Sequence, residues 1–368
     1  MKNHYIISIL LFICFVGLYQ EGTGQDMNYS QYFSTPIYYN PAYTGINTGV
    51  RARFLFRDQW PKLPIPYKSY FFSADLGDRN LPGAGGLGIM VNSDNPGHGM
   101  INNLSAALTI GVRIPITEFM VSQIGIKAGI MQRKVNWDDL LFADALDEKY
   151  GNIYQTSFIP SDANKVVVPD FGIGGVLQFI TPEGNASGNI GFAVDHLFRP
   201  DVSFLSTGSS PYPRKFVGQF DMVFSTGGGN SSSTFNNGAG DPLKINVGAI
   251  YQNQADMNSL QVGLNLLKFN IYLGAWYKST LTSLPNSAVA LVAGYRYTFY
   301  ENMSIKFIYS YDLQISGVLN GTGGAHEIGL VLEFDKLQIF GGGGGGGFVP
   351  GGGGNRIRGG PMECPNFY

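Results

Sequence analysis

The sequence predicts an all-β protein: a transmembrane antiparallel β-barrel of the outer-membrane type, with about 14 strands. Three observations lead to this fold class. Apolar and polar residues alternate with a period of two along most of the chain, the composition is poor in charge but rich in aromatic residues and glycine, and the chain begins with a segment typical of exported proteins.

The stretch 303–313 illustrates the alternation. Its odd positions are all apolar or aromatic, whereas its even positions include Ser304, Lys306 and Asp312. Because successive side chains of a strand point to opposite faces, such a stretch has one apolar and one polar face. The same reasoning places Leu264 on a lipid-facing side.

Fourteen segments alternate in this way, and most have about the 9–11 residues that a tilted strand needs to cross a bilayer. Tyr and Phe are frequent near their ends, as in an interfacial aromatic girdle. Phe307 is expected to face lipid, and Arg51, Arg53 and Arg57 to face inward. The segments are 50–58, 67–77, 84–94, 102–114, 119–134, 168–180, 188–198, 213–226, 243–253, 258–267, 269–279, 287–299, 302–312 and 325–335.

The amino-acid composition argues against several other classes of protein. Charged residues make up 14% of the chain, against about 25% in an ordinary globular protein. Disorder is disfavoured because 44% of the residues are hydrophobic, and the net charge of −2 gives no basic surface for nucleic acid. The remaining alternative is a secreted β-sandwich or repeat protein, whose strands also alternate.

Residues 1–25 have the layout of a signal peptide that is removed on export. Lys2 supplies the positive charge, residues 6–18 are almost all apolar, and small residues at 22–24 precede the expected cleavage near Gln25. The apolar run is too short for a membrane-spanning helix of ~20 residues. A lipoprotein site at Cys14 is disfavoured because bulky residues precede it.

The expected organisation after export has three parts. Residues 26–49 lead into or plug the barrel, residues 50–335 form it, and residues 336–368 are a Gly-rich periplasmic tail with the remaining cysteine, Cys364. If the mature N-terminus lies in the periplasm, the longer connections face outside and the tight turns, such as 115–118, face inside. The Gly- and Ser-rich connection 227–241 is an exception on the inner side. The predicted outer connections are 59–66, 95–101, 135–167, 199–212, 254–257, 280–286 and 313–324.

The sequence predicts no catalytic, cofactor-binding or metal-binding residues. His98, His196 and His326 are far apart in sequence and have no metal-site spacing. The acidic residues between 138 and 148 do not follow the alternating spacing of a calcium loop. The glycines at 85–88 lack the helix signal of a nucleotide loop. The prediction is therefore a non-enzymatic protein without cofactors.

Five motifs resemble the PorP/SprF family of type IX secretion membrane proteins, over residues 26–335. The first is the opening of the mature chain, 26–45, with the sequence DMNYSQYFSTPIYYNPAYTG. The others are Arg57-Asp58-Gln59-Trp60, Asn136-Trp137-Asp138-Asp139-Leu140, Asp195-His196-Leu197-Phe198, and Tyr311-Asp312-Leu313 followed by Gly324-Ala325-His326-Glu327-Ile328. The Gly runs of the tail depart from the family pattern.

The resemblance implies an outer-membrane barrel that assists secretion and surface anchoring of a cargo with a type IX sorting domain, such as a large gliding adhesin. Its implied partners are that cargo, the secretion components of the outer membrane and periplasm, and the lipid bilayer. The alternative function is a passive pore or transporter for a small solute.

The motif residues also have purely structural interpretations. Residues 40–42 could form a turn or plug the lumen, and Trp60 and Trp137 could be girdle or loop-packing residues. His326 could simply hydrogen-bond inside the lumen.

Overall fold

The computed structural model describes residues 26–335 except for 79–82, 84, 97–100, 148, 158–163, 205–207, 227–242, 282–285, 301 and 317–320. The predicted signal peptide, the Gly-rich tail with Cys364, His98 and the whole connection 227–241 therefore lie outside the described residues. Among those described, no helix is long and apolar enough to cross a membrane.

Fourteen antiparallel strands close into one barrel, in which the first strand pairs with both the second and the last. The predicted fold class and strand number are confirmed. A separate pair of two-residue strands lies in the longest connection. In chain order the strands are β1 (Gly49–Gln59), β2 (Tyr67–Gly77), β3 (Gly86–Asn95), β4 (Asn102–Thr117), β5 (Met120–Lys134), the separate β6 (Leu146–Asp147) and β7 (Gly151–Asn152), β8 (Lys165–Ile180), β9 (Ala186–Asp195), β10 (Lys215–Ser225), β11 (Lys244–Gln254), β12 (Met257–Lys268), β13 (Ile271–Thr280), β14 (Ser287–Tyr300), β15 (Met303–Gln314) and β16 (Ala325–Asp335).

Most strand boundaries lie within one or two residues of the prediction, and β8 begins three residues earlier. Two of the larger differences have a clear physical reason. Strand β4 continues through Pro115, where the pairing register with β5 shifts before Thr117. Proline is tolerated there because a bulge leaves an N–H unpaired. Strand β9 ends at Asp195 rather than 198, since His196 and Arg199 have φ angles of 54° and 48° that do not fit a strand.

The two faces of the sheet carry different chemistry. Leu264 and Phe307 point outward with 42% and 54% of their surface exposed, whereas Arg51, Arg53 and Arg57 point inward and are at most 4% exposed. Apolar side chains cover the outside of a single closed sheet, as they do in a barrel surrounded by lipid. The outward faces do not meet in one core, so the β-sandwich alternative is wrong.

The two ends of the barrel differ in their connections. The long-loop end carries the connections that follow β1, β3, β5, β9, β11, β13 and β15, of which the longest joins β5 to β8. The short-loop end includes two-residue turns such as Phe269–Asn270, where both residues have positive φ, as a tight hairpin turn requires. Strand β1 begins at the short-loop end.

Residues 26–48, the N-terminal segment, lie inside the barrel. They form three short helical turns, Tyr32–Ser34, Pro36–Tyr39 and Pro41–Tyr43, whose residues are all buried. Their aromatic side chains form the largest hydrophobic cluster, together with inward residues such as Phe71 and Trp276. The core of this protein is therefore made between the N-terminal segment and the inner wall.

Candidate functional site

The N-terminal segment crosses the lumen from one end to the other. Asp26 contacts Gln254 and Lys215, which lie at the long-loop end. Gly45 contacts Gly86, the first residue of β3, at the short-loop end. The assignment of the loops from sequence placed the mature N-terminus at the end where β1 begins, whereas the structure places Asp26 at the opposite end. The segment therefore runs against the direction of β1.

At the long-loop end, Asp26 is held by a group of polar residues that we call the Asp26 cluster: Asp26, Asp170, His196, Tyr212, Lys215 and Gln254. The carboxylate accepts hydrogen bonds from Tyr212 Oη at 2.8 Å and Lys215 Nζ at 3.3 Å, and it lies 3.0 Å from His196 Nε2. Its backbone N–H donates to Gln254 Oε1 at 2.8 Å. Four contacts thus fix Asp26. Asp170 in turn orients His196, since it lies 2.7 Å from His196 Nδ1.

Electrostatics favour the charged forms in this cluster. Burial alone would lower the pKa of His196, but the charge of Asp26 and the hydrogen bonds that His196 donates to Asp170 and Asp26 raise it to about 9. Burial would raise the pKa of Asp26, yet the charges of His196 and Lys215 hold it well below its usual range. At neutral pH the Asp26–His196 contact is therefore an ion pair.

A second group of charges holds the segment a few residues further along. Glu327 accepts hydrogen bonds from the backbone N–H groups of Ser30 and Gln31, at 2.7 and 2.9 Å. Arg57 pairs with Glu327 and, at 2.9 Å, with Asp312. These groups are nearly completely buried, so removing one member would leave another charge without its partner.

Aromatic residues fill the middle of the lumen. Tyr32 donates a hydrogen bond to Asp221 at 2.7 Å and packs edge-on against Trp276 with 5.1 Å between ring centroids. Tyr38 packs against Tyr39 and Phe71 in the same edge-on manner. Such pairs contribute about 0.5–1.5 kcal/mol beyond their area.

Glycines on the inner wall make room for the backbone of the segment. A Cβ atom at Gly125 would lie 2.3 Å from the backbone of Pro41 and Ala42, and one at Gly174 would lie 2.0 Å from Asn40 Oδ1. The Asn40 side chain in turn donates to the carbonyl oxygen of Gly175 at 3.1 Å. The Asn-Pro-Ala turn therefore packs into a groove that only glycine leaves open.

Near the short-loop end, further inward charges neutralise one another. Glu333 lies 3.5 Å from Arg51 Nε, 3.1 Å from Arg296 Nη2 and 2.9 Å from Lys306 Nζ. Arg53 pairs with Asp75. The three inward arginines that the sequence indicated, at 51, 53 and 57, are thus all engaged in ion pairs with the wall.

A cavity of about 290 Å³ remains at the long-loop end, beside the first residues of the N-terminal segment. The ends of β11 to β16 and of β1 form most of its wall. Its lining combines side-chain amides with charged residues, which are Asp26, Arg57, Lys215, Lys278 and Asp312. Asn28 and Gln252 lie on one side, with Asn286 and Gln314 on another, while Ala288 contributes a small apolar surface. The charged lining residues pair with one another. Amides both donate and accept hydrogen bonds, so the cavity suits polar groups such as peptide bonds.

Four of the five sequence motifs meet around the N-terminal segment. Arg57 comes from the second motif, His196 from the fourth, and Asp312 and Glu327 from the last, and each contacts the first motif. Sequence reasoning did not single out these contacts. One sequence signal could have pointed to these contacts: each of these charged residues lies on, or next to, the polar face of a strand.

The remaining motif residues lie elsewhere. Trp137, from the third motif, packs edge-on against Phe204 in the loops, at 6.2 Å between ring centroids, so its loop-packing interpretation fits. The expectation that His326 bonds inside the lumen is wrong. His326 has the same parity along β16 as exposed Ile328 and contacts the Tyr309 hydroxyl, at 2.7 Å, on the outward face.

The acidic stretch after β5 is a surface loop. Asp144 accepts hydrogen bonds from Ser157 and Thr156, and Asp147 from the backbone of Lys149 and Tyr150. Within the described part of the chain, no group of three or more His, Cys, Asp or Glu residues is placed to hold a metal ion.

A closed 14-strand barrel with an apolar exterior defines the class of integral outer-membrane β-barrels, which cross the membrane many times. The family model described as "Type IX secretion system membrane protein PorP/SprF" matches residues 21–332. The chain belongs to the PorP/SprF family and is an outer-membrane component of the type IX secretion system. The resemblance inferred from the five motifs is confirmed.

Comparison with curated protein sequences gives no match. Among solved structures, Omp33 from Acinetobacter baumannii has a TM-score of 0.38 and 7% identity, over 79% of this chain and 100% of that chain. A FadL homologue from Pseudomonas aeruginosa has a TM-score of 0.42 and 12% identity, over 80% and 92%. At this level of similarity these barrels carry no argument about function.

Proposed function

We propose that this protein is a non-enzymatic partner in secretion that assists export of one cargo protein and anchors it at the cell surface. The cargo is expected to carry a type IX sorting domain, with a large gliding adhesin as the leading example. Other partners are secretion components in the outer membrane and periplasm. The observation that carries the proposal is that the lumen is occupied by the chain's own N-terminal segment.

The occupied lumen favours an anchor over a pore. A solute channel needs a continuous path, whereas here buried aromatic rings and paired charges lie between the two ends. Moving the segment aside would expose the buried ion pairs of Arg57 and Glu327, which is costly unless new partners replace them. The barrel therefore suits a fixed surface to which another protein binds.

The amide-lined cavity is the place where we propose that the cargo is held. It lies at the long-loop end, which in outer-membrane barrels is the extracellular end. Its volume of about 290 Å³ is at the lower limit of ordinary ligand pockets, so it would accept a few groups of a cargo segment. Hydrogen bonds to peptide groups would hold an extended segment there without requiring one side-chain sequence.

The test compares two substitutions on strand β14. Ala288→Phe fills the cavity from the inner wall, whereas Leu291→Phe changes a residue of the lipid-facing side of the same strand. Surface levels of each type IX cargo are measured by labelling intact cells, with barrel abundance as the control. Loss of one cargo in Ala288→Phe alone would support the proposal, and unchanged display of every cargo would contradict it.

Conductance distinguishes the alternative function. The purified barrel is inserted in planar bilayers and the current is recorded over a range of voltages. An occupied lumen predicts little or no steady current. A large, stable conductance through the unmodified protein would favour the passive pore.

A further inference from the structure

Two lysines face each other on the outside of the barrel. Lys134 of β5 and Lys165 of β8 are register partners in the antiparallel ladder, and both are exposed. Their positions have the same parity as the outward residues Ile130 and Val167, so both point away from the lumen. Like charges directly opposite one another destabilise a sheet unless an anion lies between them.

The lysine pair lies just beyond the apolar surface of the barrel. The outward residues of β8 from Val167 to Phe179, including Phe171 and Ile173, are apolar or glycine. At ~3.3 Å per residue and a tilt near 40–45°, this stretch rises about 28 Å, close to the ~25 Å height of an outer-membrane apolar band. Lys134 and Lys165 therefore lie at the membrane boundary of the long-loop end.

No described carboxylate neutralises these lysines. The ion pairs of the described chain involve inward-facing groups or the Asp26 cluster, and neither Lys134 nor Lys165 takes part in one. Among the acidic residues of the adjoining connection, Asp144 and Asp147 accept hydrogen bonds within that connection. Among the described residues, this pair therefore has no carboxylate that compensates its positive charge.

We propose that Lys134 and Lys165 bind the phosphate group of a lipid in the membrane leaflet at the long-loop end. An ammonium group binds phosphate as a point charge, and basic residues at the membrane surface attract anionic lipids. The aliphatic stems of the lysines lie along the apolar surface while their charged ends reach the headgroup. Acyl chains of the same lipid would cover Ile130 and Val167, which are 55% and 50% exposed.

Native mass spectrometry of the detergent-solubilised barrel tests this site, with lipid A as the probe. The variant Lys134→Gln/Lys165→Gln is compared with Lys62→Gln/Lys149→Gln, which removes two exposed lysines from the loops. We expect the first variant to weaken lipid A binding by about tenfold or more and the control to leave it unchanged. Lys134→Arg/Lys165→Arg keeps the charge and should retain binding.

Two further arms identify the source of the phosphate. Dephosphorylated lipid A should bind the unmodified protein and the double Gln variant equally weakly. Inorganic phosphate should displace little lipid A at millimolar concentration. Three results would overturn the proposal. They are equal weakening of lipid A binding in both double Gln variants, loss of lipid A binding in the Arg variant, and full displacement of lipid A by inorganic phosphate.

Discussion

Asp26 and His196 form an ion pair of 3.0 Å at the end of the barrel opposite to the point where the N-terminal segment enters β1. The chain therefore begins its described course at the long-loop end, passes through the lumen and starts the first strand at the short-loop end. In the proposed orientation, Asp26 lies on the extracellular side although the segment continues into a strand that begins in the periplasm.

This course predicts which residues are accessible from outside the cell. In a Cys364→Ser background, Asn28→Cys should react with a membrane-impermeant maleimide on intact cells, because Asn28 lines the cavity at the long-loop end. Glu118→Cys lies in a turn of the short-loop end and should react only after permeabilisation. The reverse pattern would show that the barrel has the opposite orientation.

Attachment of the segment should depend on pH. The pKa of His196 is raised to about 9, above the ~6.5 of an unfolded histidine, so its stabilising contribution is complete below pH ~6.5 and is lost as the pH rises through about 9. A spin label at Asn28→Cys, in the same Cys364→Ser background, should therefore become more mobile between pH 7 and 10, as measured by EPR line shape.

The control for this prediction is His196→Gln. It removes the titrating group, so the label should be more mobile at pH 7 and should change little up to pH 10. The mobility of the label is compared between the protein with His196 and the His196→Gln variant. If it changed with pH in the same way in both, the Asp26 cluster would not be the pH-sensitive attachment.

Glu327 should contribute strongly to stability. Glu327→Ala removes the acceptor for two backbone N–H groups and leaves Asp312 as the one carboxylate paired with Arg57 among the described residues, so unfolding should become easier by about 3–5 kcal/mol. Denaturant unfolding in detergent, followed by circular dichroism, measures the effect. Exposed Glu118→Ala should stay within about 0.5 kcal/mol of the unmodified protein, and similar values for both would contradict this assignment.

The glycine groove gives a matched pair of substitutions. Gly125→Ala places a methyl group 2.3 Å from the Pro41 and Ala42 backbone, so the segment must shift, whereas a Cβ at Gly175 meets nothing within 4 Å. We expect Gly125→Ala, and not Gly175→Ala, to increase proteolytic cleavage within residues 26–48. Equal resistance of both variants would mean that the segment does not need this groove.

Period-two alternation was sufficient to predict the barrel because each strand lies between two different environments. The alternation in 303–313 and the arginines at 51, 53 and 57 assigned the faces correctly. Boundaries were less accurate where backbone conformation, rather than polarity, ends a strand, as at His196 with its positive φ.

The site was less predictable because its contacts join residues far apart in the chain. The sequence supplied Arg57, His196, Asp312 and Glu327 as members of separate motifs, but nothing in their spacing shows that they meet at the N-terminal segment. The error at His326 was avoidable. Its neighbour Glu327 and the alternation of β16 already place the two side chains on opposite faces.

The central claim, that this barrel serves one secreted cargo, is tested most directly by deleting its gene and quantifying every type IX cargo on the cell surface by mass spectrometry. Because the proposed role is binding and anchoring rather than general export, we expect one cargo, a large adhesin in the leading case, to be lost while the others remain. Re-expression of the intact barrel should restore it. Normal surface levels of every cargo in the deletion strain would contradict the account.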